Sequence, residues 1–224
     1  MGAEIFAELL VPAVGIGLSP IPIIAITLIL GTARARQNGL AFLGAWLTAL
    51  AFLCGLLFVF VEGLDDLGGS GTVMSSLRIV LGIGLLWLAF QKWQKRKEMG
   101  EDVQVPKWME TLNEAKPGLA AKMGALLGGV NPKNIAFSAV AASAIAQSQL
   151  GPTQQWLALL FFVILSSLTM ILAVGYYWVG KERAEEQLLK VKEFMVRHNL
   201  VIMMGLYIIF GVMLLSKGIT GLVG

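Results

Sequence analysis

Asn131-Pro132-Lys133-Asn134-Ile135 decides the reading of this chain, because it sets a proline and a lysine in the middle of a long apolar stretch. Proline has no N–H and its ring clashes with the carbonyl four residues back, so an Asn-Pro in mid-stretch breaks or kinks a helix. A similar break stands at Ser19-Pro20-Ile21-Pro22-Ile23. Pro20 and Pro132 are separated by half the length of the 224-residue chain, and the same offset sets Gly17 against Gly129. The sequence reads as two related halves.

Outward from these breaks lie apolar stretches of the roughly 20 residues that cross a bilayer. Six are predicted: Ile5 to Gly31, Leu40 to Val61, Thr72 to Phe90, Leu119 to Ala146, Thr153 to Val179, and Leu200 to Ser216. Composition agrees, with 57% hydrophobic and 14% charged residues, where a soluble domain carries about 25% charge. That excludes an ordinary soluble globule, a disordered tail and a nucleic-acid-binding protein. Glu4 and Glu8 stand where a secretory leader would carry Lys or Arg, so the first span is expected to remain in the mature protein.

Short cytoplasmic loops retain Lys and Arg. Arg34 and Arg36 lie in the first connection; Lys92, Lys95, Arg96, Lys97, Lys107, Lys116 and Lys122 in the third; Lys181, Arg183, Lys190, Lys192 and Arg197 in the fifth. The opposite side carries Arg78 and Lys217. Both termini are therefore expected outside. The third connection mixes its basic residues with Glu98, Glu101, Asp102, Glu110 and Glu114, which reads as a solvated loop touching anionic head groups. In 181–197, Ala184, Leu188, Val191 and Met195 share one helical stripe, the pattern of an amphipathic helix lying at the interface.

The fold class that follows is all-α integral membrane: six transmembrane helices as a 3+3 inverted repeat, with broken first and fourth helices. Residues 1–91 form the first three-helix repeat, 92–117 a cytoplasmic charged loop, and 118–224 the second repeat. Three is odd, so the halves insert with opposite polarity, the plan of many secondary transporters. In hydrocarbon a broken helix is tolerated only where protein or water covers it, so both breaks should face the interior. The half-helices after them bring two positive dipole ends, each about half a charge, toward the centre.

Lys133 adds a whole charge there, and no Asp or Glu lies deep in any span. A lysine at mid-bilayer costs at least ~2.5 kcal/mol, so something compensates it. One reading has Lys133 capping the carbonyls of a broken helix, or reaching a wet cavity, or partly neutral. The other has a cavity built for an anionic group, lined by Ser19, Pro20, Pro22, Asn131, Pro132, Lys133 and Asn134, with the serine and asparagines as hydrogen-bond donors. Thr27, Ser138 and Ser143 are weaker candidates, since membrane Ser and Thr commonly bond their own helix. Gly124-x-x-x-Gly128 and Ala51-x-x-x-Gly55 are expected to be close-packing surfaces. Trp156 and Trp178 suit the interfacial belt. One cysteine, Cys54, and one histidine, His198, leave no disulfide or metal site. Neither an ATP-binding motif nor a catalytic constellation is present, so the reading is not an enzyme and calls for no cofactor.

The proline break in the first span and Asn131-Pro132-Lys133-Asn134 opening the fourth resemble the lysine-exporter superfamily, whose amino-acid exporters carry a similar Asn-Pro-Lys motif. With Gly17-Leu18-Ser19-Pro20-Ile21-Pro22 and the charged central loop, the whole chain looks most like its GAP branch. Those are peptidoglycolipid- and sulfolipid-addressing proteins of actinobacteria, implicated in moving glycolipids across the inner membrane. The resemblance implies a multi-pass protein of a bacterial inner membrane, homodimerisation by analogy, and membrane lipids as partners. Thiol-electron carriers of this architecture place cysteine beside the proline in both broken helices; here Ser19, Ile21, Asn131 and Lys133 hold those places.

The expected function is export, by alternating access around a midplane site, of a glycolipid or other amphipathic substrate with an acidic head group. An amino-acid exporter is the alternative, though its site would want a deep acid for the substrate ammonium. A non-transporting scaffold for lipid-synthesis enzymes is the reading from another class.

Overall fold

In the computed structural model, residues 2–66, 70–94, 112 and 115–223 are described. The predicted central loop, 92–117, falls mostly outside them. All regular structure among the described residues is helical. Helix α1 spans Gly2–Gly17 and α2 spans Pro20–Leu30, bent by 57° at the break. Helices α3 (Ala35–Asp66) and α4 (Ser70–Gln94) follow. Helix α5 (Pro117–Ala125) passes into a π-helical turn, Leu126–Val130, which ends at an extended Asn131 before α6 (Pro132–Ala146). Helix α7 (Pro152–Ser166) meets α8 (Leu168–Val223) at a 56° bend.

The pieces begin where the sequence supplies a start. Proline occupies the first turn of α2, α5, α6 and α7, where its missing N–H is no loss and its fixed φ suits the helix. The interfacial helix expected over 181–197 is not a separate element: helix α8 runs unbroken through it as one helix of 56 residues. Ala184 and Leu188 of the predicted stripe are buried, whereas Val191 is exposed. Between Gly180 and Gly205 there is no proline or glycine to interrupt it.

Three helical segments are long and apolar enough to cross a membrane, Ala35–Gly63, Ser75–Gln94 and Glu186–Val223; the number rises to five if each bent pair is one span. The stretch Pro117–Ala146, divided at Asn131, is not among them. In these three spans only 28%, 22% and 28% of the residues are buried, so most apolar side chains face outward, as Phe52, Phe60, Val80 and Trp87 do. Such an exterior suits lipid and not water. The chain is a helical membrane protein.

Small residues set the closest approaches. Gly124 and Gly128 lie on the α3 backbone at Phe42 and Trp46, and a Cβ at Gly128 would stand 2.9 Å from the Trp46 carbonyl. This is the expected packing surface. Gly55 is not one: a Cβ there would meet only Trp156, at an ordinary 3.8 Å. A contact the sequence did not announce joins α4 to α8, where Gly82 and Gly211 each face the other's carbonyl, at 2.9 and 3.1 Å from the added Cβ.

Candidate functional site

The geometry begins with carbonyls that proline leaves unmatched. In a continuous helix the Ile16 carbonyl would accept from residue 20, but Pro20 has no N–H. Ser19 N–H bonds Ile16 instead, at 3.3 Å, so the Gly15 carbonyl loses its normal donor. The Lys133 ammonium takes that place, donating to Gly15 from 118 residues along the chain. Thr169 Oγ1 donates to the Gly17 carbonyl at 2.6 Å. Ser19 is buried as the N-cap of α2 without a side-chain cap bond.

The second break serves itself. Pro132 cannot donate to Leu127 in the π pattern, and Asn134 Nδ2 supplies the loss, donating to Leu127 at 2.9 Å and Gly128 at 3.0 Å. Asn131 Oδ1 accepts from the Lys133 backbone N–H at 3.1 Å, an N-cap bond. Asn134 Oδ1 is buried with no partner.

A third break, missed in the sequence, touches the first. Ser167 separates α7 from α8, and its Oγ accepts from Trp46 Nε1 at 3.0 Å. A Cβ on Gly17 would lie 3.3 Å from the Ser166 carbonyl, so the end of α1 rests on this bend. The Ser166-Ser167 pair in mid-span was the available signal, since serine pairs are a known kink site. Gly15, Trp46, Ser167 and Thr169 are the site residues that sequence reasoning did not name.

Lys133 is only 2% exposed. No carboxylate pairs with it among the described residues; its nitrogen lies 5.9 Å from the centroid of the Phe137 ring, which packs edge-on against Phe210 at 4.4 Å. Gly15 has to be glycine for this arrangement, since a Cβ would stand 2.7 Å from the Phe137 ring and 2.9 Å from Phe210. The carbonyl-capping reading of Lys133 is thus what this conformation displays. Helix α6 lies chiefly against α1 and α3, and α2 against α8 and α3.

The weaker candidates are engaged. Thr27 Oγ1 bonds its own helix at Ile23, 2.8 Å away. Ser138 accepts from the buried Cys54 thiol at 3.3 Å, and Ser143 from Arg78 at 3.0 Å. Two cavities lie at opposite ends of the α1–α2 pair, one of about 660 Å³ beside Arg34, Arg36 and Tyr177 and one of about 980 Å³ beside Glu8 and Arg78. Neither touches Lys133, Ser19 or Asn131. Ser19, Pro20, Pro22, Lys133 and Asn134 are buried, as expected for breaks that face the interior, but Asn131 is half-buried and Pro132 exposed, so the second break stands partly at the surface.

Comparison with known families settles the kinship. The family described as Sap, sulfolipid-1-addressing protein, matches residues 9–220. The chain belongs to this family. The Sap match contains all three breaks, Lys133 and the Gly15 carbonyl that holds it. No curated protein and no solved structure matches the chain.

Proposed function

We propose that this Sap-family protein exports an amphipathic lipid with an acidic head group across a bacterial inner membrane, by alternating access. In this reading the chain is built of two related units, 1–91 and 118–224, joined by the charged segment 92–117 on the cytoplasmic side. The charge distribution supports that orientation, and the family description supports a lipid, specifically a sulfolipid, as cargo.

The observation that carries the reading is the Lys133 ammonium, buried with no carboxylate partner among the described residues and resting on a neutral carbonyl of the other half. A carbonyl is a weaker partner for a cation than an anion is, since charge-assisted pairs are about twice as strong as neutral ones. An arriving anionic head group displaces Gly15 from Lys133. The end of α1 is then free to move against α6, and when the head group leaves, the carbonyl takes the cation back. The closed resting state and the site are the same contact.

The test is transfer of an acidic lipid between leaflets by purified protein in liposomes. Lys133→Met should slow transfer on the order of ten- to a hundredfold, the worth of one hydrogen bond to a charge, and Lys133→Glu should abolish it. Unimpaired transfer by folded Lys133→Glu protein would refute the role given to Lys133. Amino-acid counterflow in the same liposomes would move the cargo to the other expected class.

A further inference from the structure

Where the end of α1 rests on the bend between α7 and α8, two helix C-termini meet inside the bundle. Helix α1 stops at Gly17 and α7 at Ser166. A Cβ on Gly17 would stand 3.3 Å from the Ser166 carbonyl and 3.8 Å from Thr169 Oγ1. Each C-terminus carries about half a negative charge on its last carbonyls.

The oxygens at this meeting are not all used. Ser167 Oγ accepts from Trp46 at 3.0 Å, and Thr169 Oγ1 gives its proton to the Gly17 carbonyl at 2.6 Å. Ser166 Oγ has no hydrogen-bond partner, although Ser166 is 0% exposed. A serine inside a helix commonly bonds the carbonyl four residues back, and buried polar groups are nearly always matched. Thr169 Oγ1 keeps its lone pairs, and the Gly17 carbonyl has a second one.

What such a set can hold follows from its chemistry. The hydroxyl and carbonyl of Ser166, the Gly17 carbonyl and the Thr169 hydroxyl are hard, neutral oxygens. A divalent ion would draw on carboxylates, and among the described residues no group of three or more His, Cys, Asp or Glu is gathered. In membrane transporters, half-helix C-terminal ends and unwound carbonyls coordinate small monovalent cations. A water could satisfy the Ser166 hydroxyl, but it would bring no charge to the two negative ends. Nor does Lys133 fill the place. Gly15 and Gly17 are two residues apart, about 200° around the helix. The Gly15 side of α1 faces Phe137, Phe210 and the Lys133 ammonium, and the Gly17 side faces Ser166 and Thr169.

We infer that a small monovalent cation, sodium or potassium, binds between Gly17, Ser166 and Thr169. An anionic group on Lys133 relieves the repulsion between the ammonium and this ion, so cargo and cation favour each other. That coupling rests on the export reading above; the site does not.

The test follows thermal unfolding of the full-length protein in neutral detergent at one ionic strength, with choline chloride exchanged for sodium chloride or for potassium chloride. A ligand that binds only the folded protein raises the midpoint with its concentration, so at least one of the two small ions should raise it and saturate. Ser166→Ala should weaken that response at least about tenfold. In choline alone the same variant should be as stable as the wild type or more so, because an unmatched hydroxyl is gone. Lys133→Met removes a like charge and should lower the half-saturating concentration on the order of tenfold. The same midpoint in all three salts, an undiminished response in Ser166→Ala, or an unchanged half-saturation in Lys133→Met overturns the inference. Should Ser166→Ala not fold, Gly17→Ala, whose Cβ crowds the Ser166 carbonyl, carries the test, with the same weakening expected and no change counting against it. A saturable cation response together with normal lipid transfer by Lys133→Glu would remove the export mechanism and leave this site standing.

Discussion

The two proline breaks look alike in sequence and are held in opposite ways. The Asn131 break is capped from within: Asn131 and Asn134, one residue on either side of Pro132-Lys133, answer the N–H and the carbonyls that the interruption exposes. The Ser19 break has no such help nearby. Its carbonyls are answered by Lys133 and Thr169, from α6 and α8. A self-capped break is a fixed structural feature, whereas a break capped from other helices lasts only as long as those helices stay in place. The difference assigns rigidity to the second half and conditional order to the end of α1.

That contrast can be broken or sharpened by removing one cap at a time and following thermal unfolding in detergent. Asn134→Leu should cost the most, about 2–3 kcal/mol, because two carbonyls lose their donor in a dry interior. A loss below about 0.5 kcal/mol would mean that the second break does not depend on its own asparagine. Trp46→Phe removes the donor to Ser167 and some buried volume, and should cost about 1.5–2 kcal/mol. Thr169→Val leaves the Gly17 carbonyl short of one bond and should cost about 1 kcal/mol. Thr27→Val should be nearly neutral, within about 0.5 kcal/mol, since Thr27 only doubles a bond within its own helix.

A double-mutant cycle sharpens the distinction further. Asn134→Leu and Thr169→Val act on different breaks and should add within about 0.5 kcal/mol. Coupling well above that would show that the two breaks melt as one unit.

How much of this could be read beforehand follows from the chemistry of each residue. Proline announces its effect locally, so both proline breaks were legible to the residue. Serine is tolerated inside membrane helices, so the Ser166-Ser167 pair marks a bend far more weakly than a proline does. That Lys133 is buried followed from its apolar surroundings, but its partner is a backbone carbonyl, and every residue has one. Arg78 was legible only as a charge on the sparsely basic side; its hydrogen-bond partner Ser143 sits on another helix. Gly124 and Gly128 packed as their spacing promised, while Gly55 did not, because spacing marks a smooth surface and says nothing about what lies against it.

The reach of Lys133 to Gly15 also has a consequence in time. A ribosome adding about 5–20 residues per second makes Gly15 many seconds before it makes Lys133, 118 residues later. Through that interval the nascent first half has an open carbonyl and no cation to hold it, so it must wait in water or against the insertion machinery. The amino-terminal fragment expressed alone would stay in that unfinished condition, and supplying the carboxy-terminal fragment in trans would complete it.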